Sequence, residues 1–473
     1  MDTETHTANK TGRMLILIGI YIAALATRFV STGSFTVLPM AALDIGGMEI
    51  YPLASNVSGL VSICAMPVYG YLGKRYPALK PALLAGALTV GAIVLFCVAM
   101  APNMFVIIAV NLFYGVVSGA IFVVAFSLIR DMYDVKQAGI YLGLIGTVTS
   151  IGMLVGPALT GLIIDALNWR FAFHVGWPLL LVAVAFILVG VRKNKGGSAA
   201  AEASQQKAGF DAAGAIALTL FLAGVVLSLS LGRSYVPFGT LANNAMIVLA
   251  AVALIALVWI VRKKGNAAFI PSTVFRDRNT SVLACMNLLS NLSTIALSFF
   301  MPSYIINVLG GSAFQAGCAT ATYALLGIFI CPALGRLIAR HGTARWVFTA
   351  GTVVRIGVTL ALIAFLRPEL SIWAVYGFML VAGFYSAQQN VTFSTAPQIQ
   401  IPAELRVQGN SVVQTAQNLG SSIGIAVYTA IMAGFGIASG MLVALTVAVA
   451  AAVVLLVVGQ FLVPVCKGND ESR

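Results

Sequence analysis

Long apolar stretches separated by short polar segments dominate this sequence from end to end. A helix needs about 20 mostly apolar residues to cross the roughly 30 Å hydrocarbon core of a bilayer. By that criterion the pattern predicts an all-α membrane protein with fourteen transmembrane helices. Their expected bounds are 14–40, 50–72, 81–101, 104–129, 138–165, 171–191, 212–232, 241–262, 279–308, 314–338, 345–366, 370–396, 409–434 and 438–465.

The basic residues of the polar segments indicate the direction of these spans. Cytoplasmic loops are enriched in Lys and Arg, and an even number of spans places both termini on the same side. Of the 27 Lys and Arg residues, 22 lie in the termini or in segments on their side, and only Arg170, Arg233 and Arg367 lie in segments on the other. We therefore expect a multi-pass protein of the cytoplasmic (inner) cell membrane with both termini cytoplasmic.

Composition excludes several function classes. The chain is 60% apolar and 9% charged, whereas soluble domains are about 25% charged. Its net charge of +13 comes from short segments between spans and not from one basic face, so no nucleic-acid partner is expected. The six cysteines form no C-x-x-C pair and the three histidines are scattered, so neither a metal nor a cofactor is predicted. An enzyme is not expected either, because the sequence shows no clustered His, Asp or Cys.

Two motifs of the first half recur in the second half at nearly equal offsets of 265 and 268 residues. One is a loop motif, Gly70-x-x-x-Lys74-Arg75-x-Pro77-x-x-Lys80, which recurs as Gly335-x-x-x-Ala339-Arg340-x-Gly342-x-x-Arg345. The other is a glycine pair, Gly152-x-x-x-Gly156, which recurs as Gly420-x-x-x-Gly424. Parallel repeats of this kind are typical of transporters, with the binding site where the repeats meet.

The repeats divide the chain into four predicted regions. These are an N-terminal six-helix half (1–191), a polar cytoplasmic linker (192–211), two extra transmembrane helices with the following loop (212–278), and a C-terminal six-helix half (279–473).

The fifth span carries the most specific motif of the sequence. Glycines at i and i+4 let helices approach closely, and a proline bends the helix because it lacks a backbone donor. The motif reads Gly143-x8-Gly152-x3-Gly156-Pro157-x2-Thr160-Gly161, followed by Trp169-Arg170-x-x-Phe173. On these residues the chain resembles the major facilitator superfamily, in particular its fourteen-span drug:proton antiporter branch, which has Gly where this chain has Thr160.

That resemblance implies a fold of two six-helix halves plus two extra helices, a small-molecule substrate and alternating access. It also implies a central cavity lined by spans 1, 4, 9 and 12, and a protein that functions as a monomer in the lipid bilayer. The glycines, Pro157 and the basic residues of the two repeated motifs would then control the change of conformation. A plainer interpretation of the loop cations is that they only follow the orientation bias.

Three departures from the family pattern change this picture. The loop motif keeps Gly70, Arg75 and Lys80, but Lys74 stands where the family has Asp, so the latch that this Asp forms must differ. The family's Asp of span 1 falls at Val30, and its Arg of span 4 falls at Asn111. Drug:proton antiport needs a group that releases its proton within the membrane, so antiport by the usual residues is not supported.

Two arginines, Arg28 and Arg355, lie well inside predicted spans and away from their ends, and no Asp or Glu lies in the middle of any span. A charge at the bilayer centre costs about 2.5–3.5 kcal/mol on insertion scales and is functional by default. Arg28 is the candidate anion ligand of span 1, because a guanidinium fits a carboxylate, sulfate or phosphate. The alternative is a structural arginine bonded to backbone carbonyls. That alternative is favoured for Arg355, since the resemblance places span 11 in the outer scaffold.

Polar residues of the four cavity spans complete the candidate site, although each amide could instead bond neighbouring helices for about 0.6 kcal/mol. The predicted substrate-binding residues are Arg28, Thr32, Asn111, Tyr114, Ser118, Asn287, Asn291, Tyr385, Gln388 and Gln389, with Arg355 as the candidate second cation.

Together these observations predict a secondary active transporter that exports small organic anions or amphipathic compounds. Anion exchange, proton movement on the substrate and facilitated flux are all compatible with the sequence. The first alternative is a broad multidrug efflux antiporter for lipophilic cations. The second is a transporter-derived membrane sensor, for which the loops and tails are short.

Overall fold

The computed structural model describes residues 2–133, 135–193, 212–231, 236–237, 239–265, 277–341, 344–402 and 406–462, and every regular element in them is helical. This confirms the all-α prediction. The predicted linker from residue 194 onward and Gly342 of the second loop motif lie outside the described residues. The helices are α1 (Asp2–Ile45), α2 (Tyr51–Arg75), α3 (Lys80–Ala99), α4 (Met104–Ala120), α5 (Phe126–Met132), α6 (Val135–Ala166), α7 (Trp169–Lys193), α8 (Ala212–Leu231), α9 (Leu241–Lys264), α10 (Arg278–Ser298), α11 (Met301–Asn307), α12 (Ala313–His341), α13 (Arg345–Phe365), α14 (Ile372–Gln400) and α15 (Arg406–Gly459).

The structure divides one predicted span into two helices and joins two others into a single element. The span predicted over 279–308 consists of α10 and α11, because Pro302 lacks a backbone donor and its ring clashes with the carbonyl four residues earlier. The last two predicted spans form one element, α15, which breaks at Gly436 with φ 77° and ψ 172°. Glycine adopts such a positive φ without steric strain, so the break falls in the short gap between the two predicted spans.

Within the described part of the chain, ten helices are long and apolar enough to cross a membrane, and Ala213–Leu229 is a shorter apolar helix. The multi-pass prediction is therefore confirmed. The stretch Val412–Gly459 counts once among the ten although it has 48 residues. At 1.5 Å per residue it would be roughly 70 Å long if straight, about twice the hydrocarbon thickness.

The chain forms two compact units, Met1–Ala215 and Ile216–Arg473. In the first unit, α1 packs against α6 and α7, α2 against α4, and α3 against α4 and α7. In the second unit, α10 packs against α15, α12 against α14, and α13 against α14 and α15. Each unit thus has its own helix-to-helix core; in the second, Met286, Phe348 and Phe393 are among the buried apolar residues.

The repeated glycine pairs make one close helix crossing in each unit. A Cβ atom built at Gly156 of α6 would lie 2.7 Å from Oγ1 of Thr32 and 2.8 Å from the carbonyl oxygen of Phe29, both on α1. A Cβ atom at Gly420 of α15 would overlap the carbonyl oxygen of Leu288 on α10. Only a residue without a side chain lets the backbones approach this closely, so the repeat found in the sequence corresponds to a repeated packing contact.

Thr160, the residue that departs from the family's glycine motif, is accommodated by a glycine on the facing helix. Its side chain is 2% exposed. A Cβ atom at Gly33 of α1 would lie 2.5 Å from Oγ1 of Thr160. The family motif leaves room at this crossing by a glycine on α6. Here the room for the Thr160 side chain comes from Gly33 on α1.

The substitution Gly420→Ala should lower the apparent melting temperature of the detergent-solubilised protein. The added methyl group would overlap the backbone of α10, and overpacking of this kind costs about 1–3 kcal/mol. Gly357→Ala in α13 is the matched control, because a Cβ atom there meets nothing within 4 Å and alanine favours the helix. Equal melting temperatures for the two variants would contradict the close crossing.

Candidate functional site

The residues predicted to bind substrate fall into two groups, one in each compact unit. The first unit holds Arg28 and Thr32 on α1 and Asn111, Tyr114 and Ser118 on α4; the second holds Asn287 and Asn291 on α10, Arg355 on α13, and Tyr385, Gln388 and Gln389 on α14.

In the first unit, Arg28 lies in the middle of α1 at the crossing with α6. A Cβ atom at Gly152 would lie 3.0 Å from Cβ of Arg28, and the Thr32 hydroxyl donates to the Arg28 carbonyl over 2.8 Å. The Arg28 side chain is partly buried and lies within electrostatic range of the Tyr114 hydroxyl on α4. The glycine therefore lets α6 pass behind the arginine and leaves its long side chain to extend towards α4.

Tyr114 lies on a polar face of α4 together with Asn111 and Ser118, since residues three and four apart share one helix face. Tyr114 is 6% exposed, and its hydroxyl is buried without a hydrogen-bond partner among the described residues. The Asn111 amide donates to the Ile107 carbonyl of its own helix over 3.0 Å. An unpaired buried hydroxyl costs about 1–3 kcal/mol, so the Tyr114 hydroxyl is a donor that a ligand could use.

In the second unit, the two asparagines of α10 bond this helix to α15. The Asn287 amide nitrogen donates to the Val413 carbonyl over 2.8 Å, and the Asn291 amide nitrogen donates to Oδ1 of Asn287 over 2.8 Å. The Ser421 hydroxyl lies 3.5 Å from Oδ1 of Asn291. Both asparagines are buried, and their amides support the α10–α15 crossing that Gly420 makes possible.

Arg355 is 2% exposed and is bonded to neighbouring helices. Its Nη1 donates to the Ser290 carbonyl over 3.0 Å, and its Nη2 donates to the Ser290 hydroxyl over 3.1 Å and to Oε1 of Gln389 over 2.8 Å. The guanidinium lies over the Tyr385 ring, 4.6 Å from its centroid. Its Nε, also buried, has no acceptor in the part of the chain that the structure describes.

The two neighbouring glutamines of α14 have different partners. Oε1 of Gln389 also accepts from the Thr294 hydroxyl over 2.8 Å. Gln388 points the other way: its amide nitrogen donates to Thr392 over 3.0 Å, and a Cβ atom at Gly351 would lie 2.5 Å from its Oε1. Gln389 therefore belongs to the group of side chains around Arg355, which we call the arginine cluster. Gln388 instead fills the interface between α13 and α14.

Three members of the arginine cluster were not predicted from the sequence. Ser290 supplies two of the four contacts of Arg355, while Tyr323 and Tyr428 lie within electrostatic range of its charge. The Tyr323 ring meets the Tyr385 ring edge-on, with 5.9 Å between the centroids. A signal for Ser290 does exist, because it precedes Thr294 by one helical turn and so lies on the same face of α10.

The loop motif of the first unit contains a salt bridge. Nζ of Lys80 donates to Oδ2 of Asp131 on α5 and, over 2.8 Å, to the Ser127 hydroxyl. Lys80 is nearly buried, whereas Arg75 of the same motif is exposed. A lysine kept from the family motif therefore has a carboxylate partner even though Lys74 replaces the motif's Asp.

In the second loop motif, Arg345 donates from Nε and Nη2 to Oε1 of Gln460 over 3.1 and 2.9 Å.

At the opposite end of the first unit, the Trp-Arg pair that follows the antiporter motif clamps three segments together. Oδ2 of Asp44 accepts from Nε1 of Trp169 over 2.8 Å and from Nη1 of Arg170 over 3.0 Å. Nη2 of Arg170 donates to the Ala101 carbonyl over 3.3 Å. The pair thus joins the end of α1, the segment between α3 and α4, and the start of α7.

The two helical units, the membrane-length helices and the buried polar clusters define a polytopic helical membrane protein. The model of the Major Facilitator Superfamily matches residues 20–425, so the chain belongs to this family of transporters. It is 23% identical to "Multidrug transporter protein MdtP" of Bacillus subtilis (strain 168), over 89% of this chain and 75% of the relative. It is 24% identical to "Efflux pump FUS6" of Gibberella moniliformis (strain M3125 / FGSC 7600), over 91% of this chain and 76% of the relative.

A solved structure shows the same fold. The crystal structure of a POT family transporter in complex with 5-aminolevulinic acid superposes with a TM-score of 0.69 at 14% identity, covering 94% of this chain and 96% of that chain.

The Lys80–Asp131 pair should give a measurable coupling in a double-mutant cycle of Lys80→Met and Asp131→Asn. Because Lys80 is almost enclosed, we expect about 1 kcal/mol, the upper end for surface pairs. The measurement is resistance to thermal unfolding of the purified protein. A cycle of Arg75→Met with Asp131→Asn is the control and should be additive. Additivity in both cycles would contradict a stabilising pair.

Proposed function

We propose that this protein exports small organic anions or amphipathic anionic compounds by alternating access. The observation that supports this most directly is the pairing of a cation with an unused donor in the first unit. Arg28 supplies a positive charge inside α1, and beside it the buried Tyr114 hydroxyl donates to no described residue. A carboxylate, sulfonate or phosphate offers acceptor oxygens to both groups, and charge-assisted hydrogen bonds are the strong ones.

We further propose fourteen crossings with both termini cytoplasmic. The ten long apolar helices, the shorter apolar helix in α8, the helices α2 and α14, and a second crossing after the break at Gly436 together make fourteen. The Lys and Arg distribution of the loops favours this orientation. We also propose that the monomer is the transporting unit.

Broad multidrug efflux of lipophilic cations is the second candidate function, and the names of two relatives favour multidrug efflux. One relative is called a multidrug transporter and another an efflux pump. The physical argument against it is electrostatic: the candidate residues include two arginines, and the family's membrane Asp of the first span is Val30 here. A cation entering either group of candidate residues would meet a charge of its own sign in a region of low dielectric.

The substitution Arg28→Ala should reduce the flux of benzenesulfonate into proteoliposomes by about tenfold or more, the effect of losing one charge-assisted hydrogen bond. Arg28→Lys should retain part of the flux, because it keeps the charge. Arg367→Ala, which removes an exposed cation between α13 and α14, is the control and should transport like the wild type. Undiminished flux in the Arg28→Ala variant would remove Arg28 from the mechanism.

The two candidate functions are separated by the sign of the transported charge. Wild-type proteoliposomes should take up benzenesulfonate and leave tetraphenylphosphonium outside, because the candidate site is positive. Uptake of tetraphenylphosphonium with no uptake of benzoate, benzenesulfonate or phenyl phosphate would replace the proposed function by cation efflux.

A further inference from the structure

The Gln389 side chain has a fixed orientation because two donors bind its amide oxygen. Its Oε1 accepts from Nη2 of Arg355 and from the Thr294 hydroxyl, each over 2.8 Å. An arginine side chain has donors and no acceptor, so chemistry alone requires the amide oxygen to face Arg355. The amide nitrogen must then point away from Arg355.

That amide nitrogen has unused hydrogen-bonding capacity. It donates to no residue in the described part of the chain, and it is not among the buried side-chain atoms of that part that lack a hydrogen-bond partner. Gln389 as a whole is 7% exposed. A primary amide carries two N–H donors, so the second unit presents a donor pair whose direction is set by Arg355.

The charge behind this amide is not neutralised by its contacts. Arg355 is held by the Ser290 carbonyl and hydroxyl, the Gln389 oxygen and the Tyr385 ring face, all of which are neutral. No carboxylate among the described residues pairs with it. In a medium of low dielectric an uncompensated charge acts over several ångströms, so the Gln389 amide lies in a positive potential.

We propose that the Gln389 amide nitrogen binds an acceptor oxygen of the anionic substrate, and that Arg355 is the positioning residue that aims the amide and supplies the positive potential. The ligand class is a carboxylate, sulfonate or phosphate monoester. This inference rests on the proposed export of organic anions and adds to it a polar contact in the second unit. Arg355 itself remains enclosed and does not touch the substrate.

A purely structural role is the rival explanation, in which Gln389 only bonds α14 to α10 and α13. The substitution Gln389→Glu separates the two. A glutamate keeps an oxygen towards Arg355 and forms an ion pair with it, so the interhelical bond survives. It replaces the outward N–H donors by an acceptor and cancels the local positive charge, so anion binding is weakened.

The experiment measures ligand-induced thermal stabilisation of the purified full-length protein, because a ligand that binds the folded state raises its apparent stability. The probes are benzoate, benzenesulfonate and phenyl phosphate, with neutral benzenesulfonamide as the matched uncharged compound. Gln460→Glu is the control variant: it makes the same change opposite another arginine, Arg345, in the same unit.

We expect Gln389→Glu to weaken anion binding by about tenfold or more and to reduce the preference for benzenesulfonate over benzenesulfonamide. Its melting temperature without ligand should equal or exceed that of the wild type. Gln460→Glu should bind like the wild type. Gln389→Met, which keeps the length of the side chain but has no amide, should also weaken anion binding, and it provides the test if the glutamate variant does not fold.

Unchanged anion binding in Gln389→Glu or Gln389→Met would overturn this inference. If the wild type binds the anions and only Arg28→Ala loses them, the proposed function stands and Gln389 has a structural role. If none of the three anions stabilises the wild type, the proposed function fails, and this inference fails with it.

Discussion

A positive charge enclosed in an apolar helix bundle has to be solvated by the protein itself, and this requirement organises the second unit. Arg355 meets it with a carbonyl, two side-chain oxygens and an aromatic face, contributed by Ser290, Gln389 and Tyr385. These neutral groups stabilise the guanidinium without cancelling its charge. Ser290 of α10 and Tyr385 and Gln389 of α14 are therefore best understood as the coordination shell of one cation, which gives three packed helices a common polar centre.

The positions of the helices could be predicted from the sequence because the bilayer imposes them. A stretch of about 20 apolar residues has few alternatives to crossing as a helix, since no water satisfies its backbone groups. The close helix crossings could also be predicted from the repeated glycine pairs. A glycine is visible in the sequence, and its missing side chain is what allows two backbones to approach closely. The separation of α10 from α11 follows from Pro302, a signal that was present but was outweighed by continuous apolar character.

The partners of the polar side chains could not be predicted in the same way. Asn287, Ser290, Asn291 and Thr294 form two neighbouring stripes on α10, about 60° apart around the helix axis. The asparagine stripe bonds to α15, while Ser290 and Thr294 face Arg355 and Gln389. Sequence periodicity places residues on a stripe but does not say which neighbour faces it, because the rotation of a helix about its axis is set by tertiary packing.

The π-type turn Ile121–Ala125 between α4 and α5 has a geometric consequence for the first unit. Such a turn accommodates one residue more than a regular helix, and each residue of a regular helix advances the face by about 100°. Deleting a single residue within it would leave Tyr114 in place but swing Asp131 away from Lys80. The extra residue thus rotates the end of the helix that carries Asp131 relative to the polar face that carries Tyr114. Asp131 can therefore face Lys80 without changing the direction in which Tyr114 points.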